Sequence, residues 1–207
     1  MKLTPQLAEL IGMHVGDGSL YKTNTGLVWE LRGDLKEKDY YEKHIVPLIN
    51  NLFNINLISK FRNGGKNGVW GIQTCNKQVI STLFNFKFKP GTKTYTVKVP
   101  EYIFNSNVKI KRAFIRGLFD TDGCLNFMRI NNKKEKDYPR IKFSFASKYL
   151  IDSLKLLLEE VGFKSYAWNH KKEYSLCLAG KEKLLKWEKE IKPKNPKFLK
   201  KVNEWRN

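Results

Sequence analysis

Histidine and cysteine, the usual soft metal ligands and ready nucleophiles, are scarce in this chain: three of each among 207 residues. Cys75, Cys124 and Cys177 lie far apart and form no C-x-x-C pair. That argues against a zinc site and a disulfide framework, and they read as small buried hydrophobes. His14, His44 and His170 show no ligand spacing and read as structural or exposed. Long apolar runs are also missing. None approaches the roughly 20 residues that span a bilayer, and Met1-Lys2-Leu3-Thr4-Pro5 lacks the apolar stretch of a secretory leader. No membrane role and no secretion are expected, which leaves a prokaryotic cytosol or an organellar matrix. Acidic residues are outnumbered, 20 against 39 Lys and Arg, for a net charge of +19. The excess is uneven: residues 1–105 carry 14 basic and 8 acidic residues, residues 106–207 carry 25 and 12. Such a surface suits a polyanion, because neutralising phosphates releases condensed counterions.

What the chain does contain is one short pattern written twice. The first copy is Ile11-Gly12-Met13-His14-Val15-Gly16-Asp17-Gly18-Ser19-Leu20, the second Arg116-Gly117-Leu118-Phe119-Asp120-Thr121-Asp122-Gly123-Cys124-Leu125. Gly12 and Gly117, Asp17 and Asp122, Gly18 and Gly123, and Leu20 and Leu125 each differ by 105. A repeated unit implies two similar halves, 1–105 and 106–207, each long enough for a core of its own.

Each half reads in the same order. A helix comes first, Pro5 to Val15 and Lys109 to Asp120, with Thr4-Pro5 as a start signal. A hairpin follows the acid–glycine pair: Ser19–Thr23 with Leu27–Arg32, and Cys124–Ile130 with Arg140–Ala146 around the charged loop Asn131–Pro139. Apolar positions then trace second helices over Lys38–Phe53 and Tyr149–Val161. Second hairpins join Leu57–Arg62 to Val69–Cys75 and Lys164–Trp168 to Tyr174–Leu178, and third helices lie near Lys77–Asn85 and Lys181–Ile191. The fold class is α+β, two pseudo-symmetric αββαββα halves joined near Phe104–Asn107, with a basic tail from Lys192 that reads as a short helix on the partner or a solvated end.

On the motif helices, Ala8, Gly12 and Gly16 share one face, as do Gly117 and Thr121. Small faces let two helices approach closely, so Gly12 and Gly117 are expected at a helix–helix interface between the halves. Asp17 and Asp122 then emerge side by side at helix C-termini, where glycine is a natural stop and an anion is disfavoured. A divalent cation removes both penalties. With the carbonyls of Gly16 and Thr121 expected to be unpaired nearby, the ligand set is all oxygen, which suits Mg²⁺ or Mn²⁺.

These two segments resemble the paired motifs of the LAGLIDADG homing endonucleases, in the single-chain, two-motif form. The small-packing position is Gly12 and Gly117, and the closing acid–glycine pair is Asp17-Gly18 and Asp122-Gly123. The resemblance implies a monomeric, site-specific double-strand DNA endonuclease. Asp17 and Asp122 would be its catalytic metal-binding acids, and short 3′ overhangs its product. The motif's earlier acidic position is Val15 in one half and Asp120 in the other, so Asp120 is given only a supporting role at its helix end. The resemblance also implies a basic residue near the scissile phosphate. Lys93 is the candidate and Lys98 its rival; the counterpart is Lys194 or Lys197, around Asn195-Pro196. Metal-assisted hydrolysis, one strand per half, needs no Ser, Cys or His nucleophile.

Strand alternation separates an apolar face from a polar, basic one suited to a major groove. Leu27, Trp29 and Leu31 oppose Val28, Glu30 and Arg32; Ile141, Phe143 and Phe145 oppose Arg140, Lys142 and Ser144; Phe61 opposes Lys60 and Arg62. The expected DNA contacts are Lys22, Glu30, Arg32, Lys60, Arg62 and Gln73 in the first half, and Arg129, Arg140, Lys142, Ser144, Lys194 and Lys197 in the second. Two other functions fit the same resemblance: an intron maturase bound to intron RNA, and a DNA-binding regulator that no longer cuts. The presence of both acids disfavours the regulator. With no splicing-domain sequence evident, an intron-encoded or free-standing enzyme is expected rather than one embedded in an intein.

Overall fold

A computed structural model of the chain describes residues 2–63, 68–129 and 137–206. Helix α1 (Pro5–Val15) opens where the Thr4 hydroxyl accepts the Leu7 N–H at 3.2 Å and Pro5 takes the first turn. It leads into β1 (Gly18–Thr23) and β2 (Gly26–Gly33), then a single 3₁₀ turn over Leu35–Glu37. The second helix is broken in character: α2 (Lys38–Tyr40) and α3 (Val46–Phe53) are joined by a π-helical turn over Tyr41–Ile45. Pro47 explains it. Proline brings no N–H and its ring presses on the carbonyl four residues back, so the turn before it widens. Strands β3 (Lys60–Arg62) and β4 (Val69–Thr74) and helices α4 (Lys77–Asn85) and α5 (Glu101–Phe104) complete the first half. The order repeats through α6 (Val108–Asp122), β5 (Cys124–Met128), β6 (Tyr138–Phe145), α7 (Lys148–Glu160), β7 (Tyr166–His170), β8 (Glu173–Ala179) and α8 (Lys181–Glu190). A further helix, α9 (Pro196–Arg206), ends the described chain.

Both sheets are four-stranded and antiparallel with the same order, β1-β2-β4-β3 and β5-β6-β8-β7. Their inner faces bury Leu20, Trp29, Leu31 and Ile72 in one half and Leu125, Ile141, Phe143, Leu176 and Leu178 in the other. These join the buried faces of the helices in one continuous apolar core. The register leaves Tyr21, Glu30, Arg32, Gln73, Lys60 and Arg62 on the outer face of the first sheet. It leaves Arg140, Lys142, Ser144, Tyr166 and Trp168 on that of the second.

Several sequence expectations need correction. Strand β3 begins at Lys60 rather than Leu57, because the Asn50 side chain brackets the Leu57 backbone, donating to its carbonyl at 3.0 Å and accepting its N–H at 2.8 Å. Phe61 is not core: it is 52% exposed on an edge strand. Cys75 is exposed and Cys124 only half-buried; Cys177 alone of the three is buried. Phe104 ends a helix instead of opening a linker. The strand expected from Lys164 runs from Tyr166 to His170. Residues 64–67, Ile130 and the loop residues 131–136 lie outside the described residues. No helix among the described residues is long and apolar enough to cross a membrane.

Candidate active site

Helices α1 and α6 meet at backbone contact, and glycine is the reason. A Cβ on Gly12 would overlap the Phe114 carbonyl oxygen, and one on Gly117 would overlap that of Glu9. Beside this seam Glu9 of α1 pairs with Arg116 of α6, and its other oxygen lies 2.6 Å from His44 Nε2. Burial alone would raise the Glu9 carboxyl, but the bonds from His44 and Arg116 outweigh it and hold the group below its usual value.

The close approach brings the two motif acids together. A Cβ on Gly16 would overlap the Asp122 carboxylate, so the end of α6 lies directly against the end of α1. Burial, then the charges of Asp122 and Glu37, push Asp17 up to about 8, with Lys93 and Lys197 opposing. Burial likewise raises Asp122, again against Lys93 and Lys197 and the Thr121 hydroxyl. Two carboxylates are thus held partly desolvated and facing each other's charge.

Lys93 lies at the same point. Its Nζ donates to the carbonyl oxygens of Val15 at 2.8 Å and Gly16 at 2.6 Å, capping the C-terminus of α1 with a cation. Burial lowers its pKa, while Asp122 and Asp17 pull it back up. The Gly16 carbonyl, expected to be unpaired, is therefore engaged by Lys93. The Thr121 hydroxyl lies 3.2 Å from Asp122 Oδ2. Lys98 is exposed.

Of the two lysines on the opposite side, Lys197 has its charge on both acids. Lys194 takes part through its backbone, whose N–H donates to Asp120 Oδ2 at 2.8 Å. Asn195, 4% exposed, organises this corner. Its Oδ1 accepts the Lys197 N–H at 3.0 Å, capping α9, and its amide donates to Asp120 O and to Glu37 Oε1, each at 2.8 Å. Asp120 thus supports the helix end and the segment behind it. Glu37 and Asn195 escape sequence reasoning as site residues. Asp34-x-x-Glu37 is legible as a capping box and Asn195-Pro196 as a helix start, but neither signal reveals that the two side chains meet across the halves.

The outer sheet faces flank this centre. Glu30 is buried rather than presented: Tyr21 and Arg32 donate to its Oε2 at 3.2 and 2.8 Å, and Gln73 donates to the Tyr21 hydroxyl at 2.8 Å. On a central strand its longer neighbours cover it, so it positions Arg32 and, through Tyr21, Gln73. Lys22 is paired with Leu27 and alternates with Tyr21, which puts it on the side of Leu20, away from the outer face. Arg62 Nη1 and Arg140 Nε are buried and have no hydrogen-bond partner among the described residues. Ser144 is hydrogen-bonded to Ser175 at 3.0 Å, and Lys142 lies 3.6 Å from Glu173. Arg129 is exposed just past the end of β5.

The family described as LAGLIDADG-like domain matches residues 109–192. Curated relatives include an uncharacterised protein of Methanocaldococcus jannaschii, 28% identical over 78% of this chain and 17% of its own length. A ribonucleoside-diphosphate reductase alpha subunit of Bacillus subtilis is 28% identical over 86% and 16%. A DNA polymerase of Thermococcus hydrothermalis is 29% identical over 76% and 9%. The chain therefore spans less than a fifth of the length of these relatives. Among solved structures, I-DmoI in complex with DNA and manganese has a TM-score of 0.63 at 18% identity, over 92% of this chain and 97% of that one. The homing endonuclease I-WcaI bound to its DNA recognition sequence gives 0.60 at 17%, over 91% and 81%. The LAGLIDADG meganuclease I-AabMI bound to uncleaved DNA gives 0.59 at 15%, over 98% and 88%.

Proposed function

We propose that the chain, whose residues 109–192 match the LAGLIDADG-like domain family, is a homing endonuclease, a site-specific double-strand DNA endonuclease acting as a single chain. Each half, 1–105 and 106–207, serves one strand. One observation carries the reading: Asp17 and Asp122 are held together, partly desolvated, where the glycine-packed helices end. A protein bears that electrostatic cost where function requires it. The relatives support it indirectly. A reductase and a polymerase share this segment over a small part of their length. The similar solved structures are bound to DNA, one with manganese.

The donor set fits Mg²⁺ or Mn²⁺. Asp17 and Asp122 would hold the cation, and no third His, Cys, Asp or Glu joins them in a metal-binding cluster among the described residues. A hard ion that keeps several waters and reaches phosphate oxygens suits so sparse a site. When bound, it would supply an activated water and stabilise the departing 3′ oxygen, leaving short 3′ overhangs. The chain supplies the rest. Lys93 and Lys197, one from each half, offer fixed positive charge to the phosphate as negative charge develops on it. Asn195 and Glu37 hold the corner that carries Lys197. The outer sheet faces set the duplex in register. The test is to incubate the protein with a randomised duplex library of roughly two turns, with Mg²⁺ or with EDTA. Recovery of one long cut sequence only with Mg²⁺, lost in Asp122→Asn although binding persists, is the expected result. Full cutting by Asp122→Asn would refute the metal assignment.

A further inference from the structure

The two outer sheet faces are matched in geometry and opposite in chemistry. Counted along the ladders, Glu30 and Lys142 are equivalent: Glu30 lies opposite Ser19 and Gln73, Lys142 opposite Cys124 and Cys177. One row further on, the first sheet presents Arg32, Gly71 and Lys60, the second Ser144, Ser175 and Trp168. A cation on one edge strand is thus replaced by an indole on the other. Tyr166 stands beside Trp168 on the same face, their rings stacked with centroids 5.4 Å apart at 24°. They are 42% and 38% exposed. Tyr166 lies directly opposite Cys177 on the neighbouring strand. Lys142 Nζ lies 5.5 Å from the Trp168 ring centre, tying the platform to the cationic centre of the sheet.

We propose that Tyr166 and Trp168 form an apolar platform that reads thymine, through its 5-methyl group, in the DNA half-site contacted by the second half. This rests on the endonuclease reading above. Ring faces do not match the donor and acceptor pattern of base edges, whereas the thymine methyl is the apolar mark that the major groove displays. The equivalent surface of the first half carries Arg32, Lys60 and Arg62, donors suited to guanine O6 and N7 or to phosphate. The two half-sites are accordingly read by different chemistry, and the target need not be palindromic.

Deoxyuridine tests this, because it removes the methyl and leaves pairing intact. A duplex is first selected by binding from a randomised library in EDTA. It is then resynthesised with deoxyuridine at one thymine at a time, and affinities are measured for the wild type, Trp168→Ala and Trp168→Phe. At one or more thymines on one side of the centre, the wild type should lose roughly fourfold, the worth of one buried methyl. Trp168→Phe should keep the effect and Trp168→Ala should abolish it. The idea is overturned if no thymine methyl matters, if Trp168→Ala shows the same penalties, or if the selected site has no thymine in either half. Failure to select any duplex would overturn the endonuclease reading itself, a step before any deoxyuridine is introduced.

Discussion

Asp17 and Asp122 stand where their ionisation opposes stability. Each is raised by burial, and Asp17 also by its neighbour's charge, so ionising both without a cation costs the fold free energy. Asp17→Asn in EDTA should therefore melt higher than the wild type, by roughly 2–4 °C, the shift that about 1 kcal/mol gives a chain of this size. Adding Mg²⁺ should raise the wild-type melting temperature and leave the variant unmoved, since only the folded wild type gains a ligand. A variant that melts lower in EDTA would mean that the carboxylate is a structural support. Both acids are legible in the sequence because the motif repeats, and so are Gly12 and Gly117. Lys93 is legible only as one of several lysines in its segment; its bonds to Val15 and Gly16 depend on how residues 89–97 fold back, with Gly91 N–H donating to Leu20 O at 2.9 Å. Glu37 and Asn195 are illegible because their partners come from the other half.

At the level of elements, α1 and α6 form the joint on which the site depends. In an isolated helix Gly117→Ala would gain about 1 kcal/mol from propensity. Here the new methyl would meet the Glu9 carbonyl oxygen, which is backbone and cannot swing aside. Overpacking should win and cost roughly 2 kcal/mol net, about 4–8 °C in thermal melting; an unchanged or raised melting temperature would show that the helices can part. The Glu9–Arg116 pair marks which helix belongs with which. Shifted by the 105-residue repeat, Glu9 falls on Phe114 and Arg116 on Ile11, so the pair can form only between unlike halves. Because the folded Glu9 carboxyl lies below its usual value near 4.5, its contribution is complete above that range and is lost as pH falls through the lower folded value. Glu9→Gln should cost roughly 3 kcal/mol at neutral pH by leaving Arg116 unpaired, and it should flatten part of the acid limb of a melting-temperature profile from pH 6 to 3. An identical acid limb in both proteins would assign the acid sensitivity elsewhere. Element order was legible from period and turn chemistry. The π turn before Pro47, the short β3 and the exposure of Phe61 were not, since each is decided by tertiary neighbours.

For the molecule as a whole, the question is whether its +19 charge acts as a diffuse cloud or as a surface with one working face. The excess lies on both, yet the fold sorts it. Lys60 stands open on the outer face of the first sheet. Lys148, equally open, starts α7 and is paired with Asp152 at 2.5 Å. α7 packs on the apolar side of the second sheet, among the residues of the core. If the outer faces hold the duplex, affinity should fall by about a thousandfold or more between roughly 50 and 200 mM salt, as several phosphate contacts require. Lys60→Ala should then make the slope of log affinity against log salt shallower by about one, because one counterion fewer is released. Lys148→Ala should leave that slope as it was, although both changes remove one positive charge from the same +19 total. Equal effects from the two substitutions would mean that DNA responds to net charge alone, and the outer sheet faces would then lose their standing as the binding surface.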